Sequence, residues 1–234
     1  MTKNTSTYPS LNKQKTKSKE ETKEEKDYRP FIIGFQSNIK DKNLLYNLDE
    51  YILKHLKMNK YELSPLSGSE YKYDPKSWNK QRVKNNNNCY SYVTGRILSN
   101  RHGKPQPGYF SHHKSIQEHE YNNCDNFYKR IKKDMPSMYT EDFNQPCKKG
   151  FFKGFIALDN KEGDKDYHFY RHDKNKRWSH KPGTTEVINY DSDGKLINNP
   201  LLANRKYKYY NYSKPCFFFC VPKHGARTSA KVKY

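Results

Sequence analysis

The chain reads as an α+β protein, and three observations carry that reading. Apolar residues in the first half recur at three- and four-residue spacing, the period of a helix with one buried face. From Phe151 onward they come instead in short runs of strand length. Turn residues punctuate this second half closely enough to close hairpins. Helices first and antiparallel strands afterwards describe helices packed on one face of a sheet.

Taken in order, Pro30–Phe35 is a short apolar run that fits a strand, and 44–58 is an amphipathic helix. Leu45, Leu48, Ile52 and Leu56 share one face of it, with Lys54 and Lys57 off that face. Residues 60–84 are polar and loop-like, and Trp78 within them is expected to anchor the loop to the core. Asn88 is a good N-cap for a helix over 89–98, on which Cys89, Tyr92, Val93 and Ile97 share a face. Val93 and Gly95 make that helix weak by propensity, so tertiary contacts must hold it. After the turn-rich loop His102–Gly108, a third helix is predicted over 122–135. Its apolar stripe is Cys124, Phe127, Tyr128, Ile131 and Met135, and Pro136 stops it. Strands are predicted at 151–158, 166–172, 177–181, near 186–190 and at 215–221, with Asp191–Lys195 as a polar hairpin turn.

Composition limits the core. Hydrophobic residues make up only 32% of the 234, even with 21 tyrosines counted among them. Tyrosine must therefore build much of the interior, and each buried hydroxyl will need a partner. Length and composition divide the chain into a disordered polar tail (1–28), an N-terminal helical extension (29–78), the α+β domain proper (79–222) and a basic tail (223–234). The formal charge is +20, and the tail 1–28, with seven lysines against five acids, supplies only +2 of it. Such a balance suits nucleic acid or another polyanion as a non-specific partner, although the joint enrichment of Lys, Asn and Tyr also follows from an AT-rich genome.

Five cysteines (89, 124, 147, 216 and 220) cannot all pair within one chain. No apolar leader of a secretory signal and no run of membrane-spanning length is visible, so a reducing compartment with free thiols is expected. That points to the cytoplasm and leaves Cys89 available as a thiol.

Cys89 opens a helix, where the dipole favours thiolate, and His168 lies on a later strand. Together they are the minimal kit for a thiol nucleophile and its base. The expected sulfur-to-imidazole separation is roughly 3–4 Å. The backbone N–H groups of Cys89 and Tyr90 are placed to cradle an oxyanion. A third group should fix the tautomer of the imidazole, and His180, Asp173 and Asp166 are the candidates in that order. Hairpin register decides the matter for His180. A four-residue loop, 173–176, sets Phe169 opposite His180 and sends His180 to the wrong side of the sheet. A three-residue loop with Asn175 left-handed sets His168 opposite His180.

Several separate motifs carry a resemblance: Asn88-Cys89-Tyr90-Ser91-Tyr92, then Lys104-Pro105-Gln106-Pro107-Gly108, then Asp166-Tyr167-His168-Phe169-Tyr170-Arg171, then Trp178-Ser179-His180-Lys181-Pro182-Gly183. Over about 75–222 the chain resembles a family found in bacteria and in large DNA viruses of the mimivirus kind, and the viral members imply a host cytoplasm or a virion as its setting. More distantly it is similar to NlpC/P60-type papain-like cysteine hydrolases, which place a Cys at a helix N-terminus, a His on a following strand and a polar third residue on the next. Cys89, His168 and His180 fall in that order, although Asn88-Cys89-Tyr90 replaces the usual acidic-Cys-small run. The resemblance implies a papain-like fold and a thiol hydrolase or transferase acting on an amide, ester or thioester of a peptide or acyl group, with no cofactor and no metal. The alternative is a non-enzymatic basic viral structural or nucleic-acid-associated protein on a hydrolase-like scaffold.

Other constellations are weaker. Cys216 and Cys220 with His224 have zinc-ligand character, but strand alternation puts both thiols on one face with Phe218 crowding it, and a buried apolar strand is the better reading. His112, His113 and His119 read as surface. Tyr207, Tyr209, Tyr210 and Tyr212, interleaved with Lys206 and Lys208, suit base stacking less well than a tyrosine-built edge strand.

Overall fold

A computed structural model describes residues 63–98, 104–112, 114–159 and 165–224. The predicted tail 1–28, the strand 30–35, the helix 44–58 and all but the first two residues of the C-terminal tail lie outside them.

The described residues form a mixed α+β structure around one antiparallel sheet. Its strands are β1 (Tyr139–Thr140), β2 (Phe151–Leu158), β3 (Tyr167–His172), β4 (Trp178–His180) and β5 (Lys214–Pro222), in the order β1-β5-β2-β3-β4. Every neighbouring pair is antiparallel. Strand alternation sorts the side chains into two layers. Phe152, Ile156 and Leu158 of β2, Tyr167 and Phe169 of β3, and Phe219 and Val221 of β5 share a core with α3 (Cys89–Val93) and α4 (Cys124–Asp134). Phe155, Ala157, Tyr170 and Phe218 face the other way, where Ile197 and Tyr212 of the irregular segment 190–212 close over them. With both faces covered, β3 is buried along its whole length. The predicted fourth strand near 186–190 is reduced to single bridges, Ile188 to His180 and Tyr190 to Leu196.

Two short helices, α1 (Pro75–Trp78) and α2 (Gln81–Asn86), occupy the stretch expected to be loop. Asp74 caps α1 through Ser77 N–H at 3.0 Å, and Trp78 is driven edge-on into Tyr92 at 4.8 Å between ring centres, the anchor expected of it. The helix at Cys89 is shorter than the predicted 89–98. It ends at Val93 because Gly95 adopts φ +69°. Gly95 N–H then bonds Tyr92 O and Arg96 N–H bonds Ser91 O, each at 3.0 Å, the paired bonds of a Schellman stop. A side chain at Gly95 would also put its Cβ 2.5 Å from the Tyr71 ring. No helix among the described residues is long and apolar enough to cross a membrane.

The free-thiol expectation is overturned for four of the five cysteines. Cys124 is bonded to Cys216, and Cys147 to Cys220. A β-bulge makes both bridges possible. Ile156 of β2 faces Phe217 while Ala157 faces Pro215, leaving Cys216 unmatched. That extra residue breaks the alternation which would have put both β5 cysteines on one face. Cys216 joins the helix-side core and reaches Cys124 on α4, while Cys220, opposite Lys153, reaches Cys147. The zinc reading of Cys216 and Cys220 falls with it, and Cys124 is a cross-link rather than a small buried hydrophobe.

The tyrosine-rich core satisfies some of its hydroxyls as composition demands, while those of Tyr170 and Tyr207 are buried without a hydrogen-bond partner among the described residues. Tyr90 OH donates to Asp134 Oδ2 at 2.6 Å, and Tyr212 OH to Asp166 Oδ2 at 2.7 Å. Asp134 also accepts from Gly108 N–H and Ser111 Oγ at 2.7 Å each, which fixes the Pro-Gly loop onto α4. Two lysines are buried with their ammonium groups in carbonyl cages. Lys153 donates to Ser64 Oγ and to the Asp142, Phe143 and Gln145 carbonyls. Lys181 donates to the carbonyls of Lys84, Gly183 and Thr185 at 2.8–2.9 Å.

Candidate functional site

The site is built on α3, β3 and β4. Asn88 caps α3 as expected: its Oδ1 accepts from Tyr90 N–H at 3.1 Å and Ser91 N–H at 3.2 Å, while Ser91 Oγ accepts from Asn88 N–H at 2.9 Å. Asn88 Nδ2 reaches on to Pro105 O at 2.8 Å. This corrects one expectation, because the cap already occupies the Tyr90 N–H assigned to an oxyanion.

Cys89 is the free cysteine among the described residues, and it is buried. Its Sγ lies on the β3 backbone, 3.9 Å from the Tyr167 carbonyl oxygen. β4 pairs only with Tyr170, Arg171 and His172, so the thiol occupies the β3 edge where the β4 ladder has ended. Burial pushes the thiol up to about 12, and Asp166 adds to the rise, against the backbone N–H of Phe169 and the ammonium of Lys181. The group is therefore a thiol at neutral pH and not the thiolate expected at a helix start. A five-residue helix has too small a dipole to offset that desolvation.

The two histidines do meet, by a register neither loop scheme anticipated. The hairpin turn is Lys174–Lys176, one residue later than the three-residue scheme, with Lys176 rather than Asn175 left-handed at φ 64°. This sets Tyr170 opposite His180 and Arg171 opposite Ser179. His168, two residues from Tyr170, then shares a face with His180 as its diagonal neighbour. His168 Nε2 and His180 Nδ1 are 2.7 Å apart, and His180 Nε2 is 3.0 Å from Tyr190 O.

These contacts fix both tautomers. A carbonyl only accepts, so His180 Nε2 carries the proton it gives to Tyr190 O, and its Nδ1 is a lone pair. His168 Nε2 must then donate to that lone pair, which leaves His168 Nδ1 unprotonated. Burial holds both rings neutral. It pushes His180 down to about 4, and it pushes His168 well below the usual imidazole range, with His180 adding to the fall. Tyr212 stacks on the His168 ring at 5.0 Å.

No hydrogen bond joins the thiol to the imidazole. Cys89 Sγ sits against the backbone beside His168, on the layer of Tyr167 and Phe169, while the His168 ring points into the layer of Ala157 and Tyr170. Sγ makes no hydrogen bond to His168; its partner is the Tyr167 carbonyl. The other candidates for the third role are engaged elsewhere. Asp166 accepts from Tyr212 OH, and Asp173 pairs with Arg171 Nε at 2.9 Å and accepts from Ser179 Oγ.

A buried hydrogen-bonded ring ties these elements together. Arg171 bonds Asp173, Asp173 bonds Ser179, Ser179 Oγ lies 2.7 Å from Tyr92 OH, and Tyr92 OH accepts from Arg171 at 2.8 Å. Tyr92 lies on α3 three residues after Cys89, so the ring locks the thiol's helix to both histidine strands. Sequence reading missed this ring and the Tyr190 carbonyl. Polar residues flanking His180 were the available signal for the ring, and a backbone acceptor leaves none.

Fold and site together define a disulfide-stapled α+β protein with a buried Cys, His, His constellation. The chain is 33% identical over 137 residues to Insoluble matrix shell protein 1 of Ruditapes philippinarum, a match covering 57% of this chain and 81% of that protein, and it belongs to that protein's family. No family profile and no solved structure matches it.

Proposed function

We propose that the chain is a papain-like thiol hydrolase or transferase acting on an amide, ester or thioester, with Cys89 as nucleophile and His168 as base. The observation that supports it is the relay from His168 Nε2 through His180 to Tyr190 O, which presents His168 Nδ1 as a lone pair on the strand against which the thiol lies. Unliganded sites of this kind are often loose and tighten when substrate binds. His168 Nδ1 takes the Cys89 proton as sulfur attacks the acyl carbon. The imidazolium is stabilised by His180, itself held by Tyr190 O. The proton then passes to the leaving amine, alcohol or thiol. Water or an amine attacks the acyl-thioester with His168 again as base, and the thiol is restored. The resemblance to the NlpC/P60 order of residues agrees with this reading.

Turnover of p-nitrophenyl acetate and of a simple acyl thioester tests it. Cys89→Ala is expected to abolish turnover and His168→Ala to lower kcat/KM by about 10²–10⁴. His180→Ala should lower kcat and also shift the acid limb of the profile. In the wild type that limb lies below the usual histidine range, since His168 stays neutral there. Turnover surviving Cys89→Ala, or absent on both substrates, contradicts the proposal.

A second reading is a non-enzymatic structural protein on a hydrolase-like scaffold. The burial of Cys89 and the kinship with a shell matrix protein favour it, and the same assay separates the two.

A further inference from the structure

We infer that one end of the sheet is a binding surface for an anionic polysaccharide. This does not rest on the thiol chemistry. β2 begins at Phe151 opposite Pro222, and the register that sets Gly154 opposite Arg171 brings the β3–β4 turn to the same end. Six lysines gather there: Lys72, Lys148, Lys149, Lys174 and Lys176, all exposed, and the half-buried Lys223.

Tyr71 is the hub that holds them together. Its carbonyl accepts from Lys174 N–H at 2.8 Å, and its hydroxyl donates to Lys223 O at 3.1 Å. Its ring lies 5.1 Å beneath Lys223 Nζ. Arg171 donates to Lys72 O at 3.4 Å, and Lys223 N–H donates to Gly150 O at 2.9 Å, which brings in Lys148 and Lys149.

The carboxylates near this end do not neutralise the cluster. Glu70 is buried and accepts from Ser67 and Gly68, and Asp173 is buried against Arg171. Asp74 is occupied in capping α1. None of the six lysines is ion-paired among the described residues. Unneutralised charge on one surface attracts a polyanion and makes binding depend on salt.

The residue types choose the polymer. The exposed charges of the cluster are lysines, and the arginines near it are engaged, Arg171 with Asp173, Arg177 with Asn198 and Arg96 over the Phe110 ring, rather than presenting a fork for bidentate phosphate contact. Its aromatic hub lies beneath Lys223 and Arg171, and Tyr139 lies beneath Lys148, so neither ring is free to stack on a base. The end is made of turns and strand termini, with no helix presented to a groove. Flexible point charges of this kind suit sulfates and carboxylates spaced along a sugar chain.

The test measures binding of a fluorescent heparin dodecasaccharide, and of a DNA duplex of equal charge, by the full chain across a salt series. Lys148→Glu, Lys149→Glu, Lys174→Glu and Lys223→Glu together are expected to raise the heparin Kd about 100-fold at 0.15 M salt and to flatten its salt dependence. Lys114→Glu, Lys133→Glu, Lys206→Glu and Lys208→Glu, the same charge change elsewhere, should leave it within about threefold. Alanine at the first four positions reports on the end if the reversal variant does not fold. Equal loss in both sets, or no heparin binding at 0.05 M salt, overturns the surface. Duplex bound as tightly as heparin through the same lysines overturns the choice of polysaccharide.

Discussion

Reduction of the two disulfides is expected to destabilise the protein more than any single substitution. The bridges span 92 and 73 residues. The chain-entropy relation for loops of that length gives about 4–5 kcal/mol each. The two loops overlap, so removing both costs less than twice one. Even so, the loss is comparable with the whole stability of a typical domain, about 5–15 kcal/mol. Each bridge holds β5 from a different face, Cys216 to α4 and Cys220 to the loop after β1, so neither substitutes for the other. Urea unfolding followed by tryptophan fluorescence, with and without dithiothreitol, measures the loss. A midpoint unchanged by complete reduction contradicts it.

Acid is the second large effect. Burial pushes His180 and His172 each down to about 4 from an ordinary 6.5, with Lys153 adding to the fall at His172. An unfolded chain therefore takes up these protons before the folded one does. Stability is intact above about 6.5 and falls as pH drops toward about 4. At pH 4.5 each histidine removes about 2–3 kcal/mol, so the two together remove about 5 kcal/mol. His168 acts in the same direction. Asp166 and Asp173 act against it, because burial raises both and the folded form gains as they protonate. The unfolding free energy measured at pH 7.5 and 4.5 should differ by several kcal/mol in favour of pH 7.5, and His172→Gln should narrow the gap. Equal stability at the two pH values would falsify this assignment of neutral buried imidazoles.

Elements with strong period or composition were legible in the sequence. The strand 151–158 and the α4 helix stand where apolar spacing put them, because in each a single face or a continuous run faces the core. Asn88 was legible as a cap because the donors it satisfies lie within three residues. Features set by one inserted residue were not. The bulge at Cys216 reverses which face a cysteine takes, and Pro215, its one local signal, fits an edge strand or a strand start as well as a bulge. The same holds for the hairpin, where moving the turn by one residue decides whether His180 meets His168. The α3 stop depended on Gly95, which takes φ +69° and has no room for a side chain against the ring of Tyr71, 24 residues away in the chain. That the thiol bonds the Tyr167 carbonyl was likewise beyond sequence, since it follows from α3 docking Cys89 on the β3 edge.

Which nitrogen of His168 carries the proton decides whether this imidazole can act as the base. Nitrogen-15 NMR of histidine-labelled protein at pH 7, assigned with His168→Gln and His180→Gln, reads this directly. The predicted result is a neutral Nε2–H tautomer at both His168 and His180, with a one-bond proton coupling at Nε2 and a pyridine-like Nδ1 shift at each ring. An imidazolium at either residue, or His168 as the Nδ1–H tautomer, would contradict it, because His168 would then have no lone pair to take the proton of Cys89.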